Sequence, residues 1–196
     1  MGRSQAYTAW TTTRSADIDR VFSVHHEITG RGAGRRWEAE HLIGAIIARL
    51  VAEFQGYCRD VHDEAIDHVV GCLGITDRGL LALTRAAYIR GRDLNTGNPT
   101  WNALKNDFGR LEMRFQAEMD RRFTSSPRLR EVLKDLLYAR NAVVHADEDK
   151  LQQCRSRNLL WLRQCRLWRA SLNRLVGSID TATGAHLKVL TGHNPW

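Results

Sequence analysis

The sequence predicts an all-α fold, a bundle of about five or six helices. Three observations carry this. From Trp37 onward, apolar residues recur at every third or fourth position for over 30 residues. No segment alternates apolar and polar residues with period two for long enough to make a strand. Cap-like residues stand where helices should start, Ser15 and then Ser125 and Ser126 before Pro127.

Each element has its own signal. Ser15, followed by Ile18, Val21, Phe22 and Ile28 at helical spacing, predicts a helix over 15–29. The segment GRGAGRR at 30–36 ends it; lacking a Gly-Lys-Ser/Thr or a preceding strand, its glycines make a basic loop and not a phosphate cradle. Ile43, Ile46, Ile47, Leu50, Val51, Phe54, Tyr57, Val61, Ile66, Val69 and Val70 form the stripe of one long helix. Gly79 to Gly91 reads as a short helix, GRDLNTGNPT as a loop, and Trp101 to Phe123 as a further helix inward-facing at Leu104, Phe108, Leu111 and Phe115. Ser125 and Ser126 before Pro127 give a cap and a first-turn proline for a helix with Leu129, Val132, Leu133, Leu136 and Leu137 inward. Asp147 starts the last long helix, striped by Leu151, Leu159, Leu162, Cys165, Leu172 and Leu175 and weakening near Gly177.

Composition narrows the class. With 43% hydrophobic and 26% charged residues, the chain suits one globular domain over 1–196, with residues 1–14 as an arm and 150–196 as a basic helical segment. Disorder, collagen-like repeats and a disulfide scaffold are excluded. The longest apolar stretch, Leu42 to Phe54, carries Arg49 and Glu53 and is too short to cross a bilayer, so no membrane partner is expected. MGRSQAYTAW has no apolar leader region, which points to the cytoplasm. The 4 cysteines include no C-x-x-C, so the default is reduced thiols, Cys154 and Cys165 acting as small buried hydrophobes.

Charge is unevenly placed. Residues 1–149 hold 21 basic and 21 acidic side chains, whereas 150–196 hold eight basic ones against Asp180 alone, so the whole net charge of +7 lies in the last quarter. Such a segment attracts anions, nucleic acid above all, or is a solvated cationic face. Arg155, Arg157, Arg163, Arg166, Arg169 and Arg174 interleave with Trp161 and Trp168. The seven-residue spacing of the tryptophans favours packing, and the arginines stay open between phosphate contacts and a wet face.

The stretch LLYARNAVVHADED at 136–149 is the most pointed, because Arg140 and His145 interrupt an apolar helix face beside Asn141. Positions five apart on an ideal helix differ by about 140°, so the pair converges only if the helix bends or a second subunit completes the site. Chemically, the pair suits metal-free RNA cleavage, in which the ribose 2′-hydroxyl attacks its own phosphate. An imidazole can move the protons and a planar guanidinium can hold the developing phosphate charge. Asn141 adds a hydrogen bond to phosphate or orients His145.

RNAVVH at 140–145 resembles the signature of the HEPN domain family (higher eukaryotes and prokaryotes nucleotide-binding), an Arg, a polar residue and then a His late in an all-α bundle. HLIGAIIARLVAEFQGYCRDVHDEA at 41–65 is similar to the long early helix of stand-alone HEPN proteins of the RiboL-PSP type, and GNPTWNALKNDFGRL at 97–111 to their Gly-Asn-Pro loop and following helix. The resemblance covers residues 14–150 in the expected order. It implies a HEPN-like bundle and a homodimer with two Arg-His motifs facing across a cleft. It also implies a cofactor-free endoribonuclease acting as a toxin or defence effector under a partner protein's control. In one branch a Tyr two residues beyond the His is modified by an antitoxin; here that position is Asp147, which puts such regulation in doubt.

Other constellations carry less. In HDEAIDH at 62–68, Glu64 and His68 stand four apart, with Asp63 and Asp67 beside them, yet the H-E-x-x-H order is missing and no metal is expected. His25, His26 and His41 read as helix-edge or structural. Glu53, Arg59 and Asp60 on the long helix offer either an ion pair that orients Arg140 or surface pairs. The expected function is a metal-independent endoribonuclease with Arg140, Asn141 and His145 as its site; its rival is a catalytically silent HEPN-like scaffold that binds RNA or a protein.

Overall fold

A computed structural model describes residues 2–29 and 36–196, with side chains described for 2–29 and 39–196. Among the described residues the chain is helical throughout, with no strand. Helix α1 (Gln5–Ala9) runs through a π-helical turn, Trp10–Arg14, into α2 (Ser15–Thr29). Next come α3 (Arg36–Cys72), α4 (Arg78–Ile89), α5 (Asp93–Thr96), α6 (Trp101–Gly109) and α7 (Phe115–Arg122). The chain closes with α8 (Ser126–Val144), α9 (Glu148–Ser156) and α10 (Leu162–Thr191). The expected helices over 15–29 and from Trp37 to Val70 are present; of the loop expected at 30–36, residues 30–35 lie outside the described residues and Arg36 begins α3.

There are more helices than the five or six expected, because the expected arm forms α1, the expected loop forms α5 and two expected helices subdivide. Within the presumed loop, α5 forms because the buried Asp107 carboxylate accepts from the Asp93 and Leu94 amides at 2.9 and 2.8 Å. The helix expected over 101–123 breaks after Gly109, where Glu112 takes φ 57 and the Met113 amide donates back to the Phe108 carbonyl at 3.2 Å. The last helix divides at Asn158, with φ 55, and its second part does not fade at Gly177 but continues to Thr191.

The long helix α3 is the axis, packed by α1, α2, α8 and α10. Its stripe from Ile43 to Val61 lies in one large core with Trp10, Phe108, Phe115, Leu136, Trp168 and Leu172. A smaller core at its far end gathers Ile66, Val69, Val70, Leu111 and Leu187. The amino-terminal segment, read from sequence as an arm, packs on its own chain. The Gln5 and Ala6 amides at the start of α1 donate to Glu64 at 2.8 and 2.5 Å, and the Arg3 guanidinium reaches buried Asp180 at 3.1 Å. The π turn inserts one extra residue per turn. It carries Trp10 into the core, where its indole N–H donates to Asn173 at 2.9 Å, and leaves Arg14 over α3.

Cys154 and Cys165 are buried as expected, though on different helices, and burial pushes the Cys165 thiol up to about 12. No described helix is long and apolar enough to cross a membrane.

Between α3 and α5, His62 accepts at Nδ1 from Arg92 at 3.2 Å and donates from Nε2 to the Asp107 carbonyl at 2.9 Å. Burial pulls this imidazole below its ordinary 6.5, the Asp107 hydrogen bond opposing and the Arg92 charge assisting. Burial lowers His25 in the same direction. Below pH 6.5 the unfolded chain therefore takes up protons that the folded chain refuses. Stability should fall as the pH drops below 6.5, and melting temperatures on either side of that value test the sign.

Candidate functional site

Helix α8 positions the motif. It buries Leu129, Leu133, Leu136, Leu137, Ala139 and Ala142, which leaves Arg140 and Asn141 half-buried on its flank and His145 exposed at its end. The end of α8 sits close on α3 at Gly44, where an added Cβ would come within 2.7 Å of Val143 Cγ1. Any larger residue at 44 would push away the turn that bears the motif.

The helix stops at the motif in a Schellman-type turn. The Asp147 amide donates to the Ala142 carbonyl at 3.1 Å and the Ala146 amide to the Val143 carbonyl at 3.3 Å. His145 is the C-cap, at φ −95 and ψ 3, and Ala146 takes the left-handed position at φ 48 that usually falls to glycine. Asp147 then caps α9, accepting from the Lys150 amide at 3.1 Å and from its ammonium at 2.5 Å, and Lys150 holds the Asp147 carboxyl below the usual range. His145 is thus fixed between two helix ends and its acidic neighbour is committed to a cap. Ala146→Gly should relieve the left-handed strain and stabilise by about 0.5–1 kcal/mol, raising the melting temperature by about 1–4 °C. An unchanged or lower melting temperature would show that the turn carries no such cost.

Asn141 is oriented from two sides. Its Oδ1 accepts from Arg140 at 3.1 Å and from Asn98 Nδ2 at 2.8 Å, so its own amide hydrogens are left to donate elsewhere. Asn98 is itself held by α3, since Gln55 Nε2 donates to the Leu94 and Gly97 carbonyls at 2.8 and 2.7 Å. Reasoning on the motif alone missed Asn98; the signal was the Gly-Asn-Pro loop. Among the described residues no carboxylate lies within ion-pair distance of Arg140, no hydrogen bond joins Arg140 to His145, and the His145 ring has no hydrogen-bond partner.

Several other candidates go elsewhere. Glu53 does not orient Arg140; it pairs with Arg14 at 2.6 Å and Arg49 at 2.7 Å, and Asp60 also pairs with Arg14. The side chains of HDEAIDH separate: Asp63 meets Arg92, Glu64 caps α1, Asp67 meets Arg85 and His68 meets Thr191. Of the tryptophans, Trp168 is fully buried as the spacing suggested, but Trp161 is 58% exposed and does not pack. Arg155, Arg157 and Arg169 are tied to Glu40, Asp135 and Asp19. Among the described residues Arg163, Arg166 and Arg174 have no carboxylate partner and are exposed.

A cleft of about 450 Å³ opens beside the motif, bounded by the loop before α6, by α7 and by α8, with Asn98 and Asn141 at one end. No protein-family model, curated protein or solved structure matches the chain.

Proposed function

We propose that the protein is a metal-independent endoribonuclease of HEPN type, active as a homodimer in the cytoplasm and serving as a toxin or defence effector restrained by a partner protein. The observation that supports it is the Arg140 guanidinium, with no carboxylate partner among the described residues, on the same exposed helix end as His145. A phosphate supplies the missing counter-charge; an RNA-binding scaffold would use the arginine too, and what the enzyme adds is the imidazole of His145 beside it. In the reaction the 2′-hydroxyl attacks phosphorus, the bond to the 5′-oxygen breaks, and the products end in a 2′,3′-cyclic phosphate and a 5′-hydroxyl. His145 moves the proton as general acid or base, Arg140 holds the charge on the phosphate oxygens, and the Asn141 amide supports it. No hydrogen bond joins Arg140 to His145 within one chain, in keeping with a site completed by a second copy.

The scaffold reading has one observation on its side: α4 buries no residue and leaves Leu80, Leu81 and Leu83 exposed, a face suited to a partner. Incubating purified protein with a mixed RNA pool in EDTA, and analysing product ends, separates the two. Cyclic phosphate ends that disappear in Arg140→Ala and His145→Ala support the enzyme. RNA that is bound but uncut supports the scaffold.

A further inference from the structure

The cleft beside Asn141 has the makings of a ligand site. Its volume of about 450 Å³ falls in the range of small-molecule pockets. Its wall is apolar where Leu133, Leu137 and the Tyr138 ring line it, and Trp101 contributes an indole that is only 8% exposed. The Trp101 Nε1 is buried and has no acceptor. An indole N–H can only donate, and leaving a buried donor unpaired costs about 1–3 kcal/mol. The ring is otherwise well held, edge-on to Phe115 at 5.2 Å and with the Arg130 guanidinium 5.6 Å from its centroid. Other buried groups share this state, the Trp168 Nε1 among them, and the Trp101 N–H is out of reach of solvent, so the indole gives the cleft its ring and not its donor.

The rest of the lining defines what the cleft would hold. The rim carries the amides of Asn98, Asn102 and Gln116, each both donor and acceptor, as the edge of a nucleobase requires. Lys134 pairs with Glu131 at 3.6 Å, and the Arg130 guanidinium over the Trp101 ring has no carboxylate partner among the described residues, so the cleft offers one cation to an anion. Because Asn141 belongs both to the cleft and to the Arg-Asn-His motif, a group bound here lies next to the phosphate contacted by that motif.

We infer that this cleft binds one nucleotide of the RNA strand, its base lying against the apolar wall beside Trp101 and its edge read by Asn98, Asn102 and Gln116, with Arg130 facing a phosphate. The inference rests on the ribonuclease reading for its biological sense, but nucleotide binding can be measured without it. The site would set which base lies beside the cleaved bond.

The test is nuclear magnetic resonance on the ¹⁵N-labelled full chain, titrated with uridine, cytidine, adenosine and guanosine 5′-monophosphates and, separately, with inorganic phosphate. Trp101→Phe identifies the Trp101 indole signal. At least one nucleotide should shift that signal saturably at millimolar concentration where phosphate alone does not. Asn102→Ala, at an exposed position that leaves the fold intact, should weaken that binding by about fivefold, as should Arg130→Ala. The inference is overturned if no nucleotide moves the signal, if phosphate moves it equally, or if both variants bind as tightly as the parent. Should the signal respond in a protein that cuts no RNA, the ribonuclease reading fails and the cleft stands; RNA cut with a silent indole gives the reverse.

Discussion

His145→Ala should slow RNA cleavage by about 10²–10⁴-fold, the span that a positioned proton-transfer group contributes, and Arg140→Ala by about 10²–10³-fold through loss of charge stabilisation. Neither change should unfold the protein. The His145 ring is exposed and accepts or donates no hydrogen bond among the described residues, and the Arg140 guanidinium bonds only to Asn141. Melting should stay within about 0.5 kcal/mol of the parent. Arg140→Lys should recover little, because an ammonium is a point charge and not a planar fork. Asn141→Asp sharpens the test. It keeps the acceptor used by Arg140 and Asn98 but removes the amide hydrogens and adds a negative charge where phosphate would lie. Activity should drop while thermal stability holds. Single-turnover rates together with melting curves decide it: variants that cut as fast as the parent would remove His145 and Arg140 from the chemistry, whatever the fold.

The large elements were legible because their signals are local and periodic. The stripe from Ile43 to Val70 could have no structure but a buried helix face, and Pro127 behind two serines marked where α8 begins. The subdivisions were not legible, because one depends on a residue beyond the segment and the others on left-handed turns. Asp107 caps α5 from 13 residues away, and Glu112 and Asn158 adopt left-handed conformations without a glycine at the turn itself. The same holds at the site. Arg140, Asn141 and His145 stood out as polar residues on an apolar helix, whereas Asn98 and Gly44 act only through contacts across the bundle. Trp161 and Trp168 share a helical spacing yet differ in burial, because Trp161 precedes α10 in extended backbone and falls off the stripe.

The second large effect is on stability and comes from the charge cluster between the amino-terminal segment and α3. Glu53 is 7% exposed and lies between Arg14 and Arg49, which also reach Asp60 and Asp17. Without Glu53, Arg14 keeps Asp60 and Arg49 keeps Asp17, so the loss is partly compensated, and Glu53→Ala should cost about 1–2 kcal/mol and lower the melting temperature by about 2–8 °C. The cluster has a second point of entry. Gly56 lies one turn further along α3, and a Cβ there would come within 2.4 Å of Arg14 Nη1. Gly56→Ala must therefore displace the Arg14 guanidinium and break the same pairs from the other side. If the cluster acts as one unit, the double variant should cost well under the sum of the two single changes, since each already forfeits the Arg14–Glu53 pair. Full additivity would mean that Gly56 and Glu53 act independently and that the Arg14 pairs contribute little. Cleavage per folded molecule should be the same in all three variants, because Glu53 pairs with Arg14 and Arg49 and not with Arg140. A selective loss of activity in Glu53→Ala at full folding would instead tie this cluster to the motif on α8.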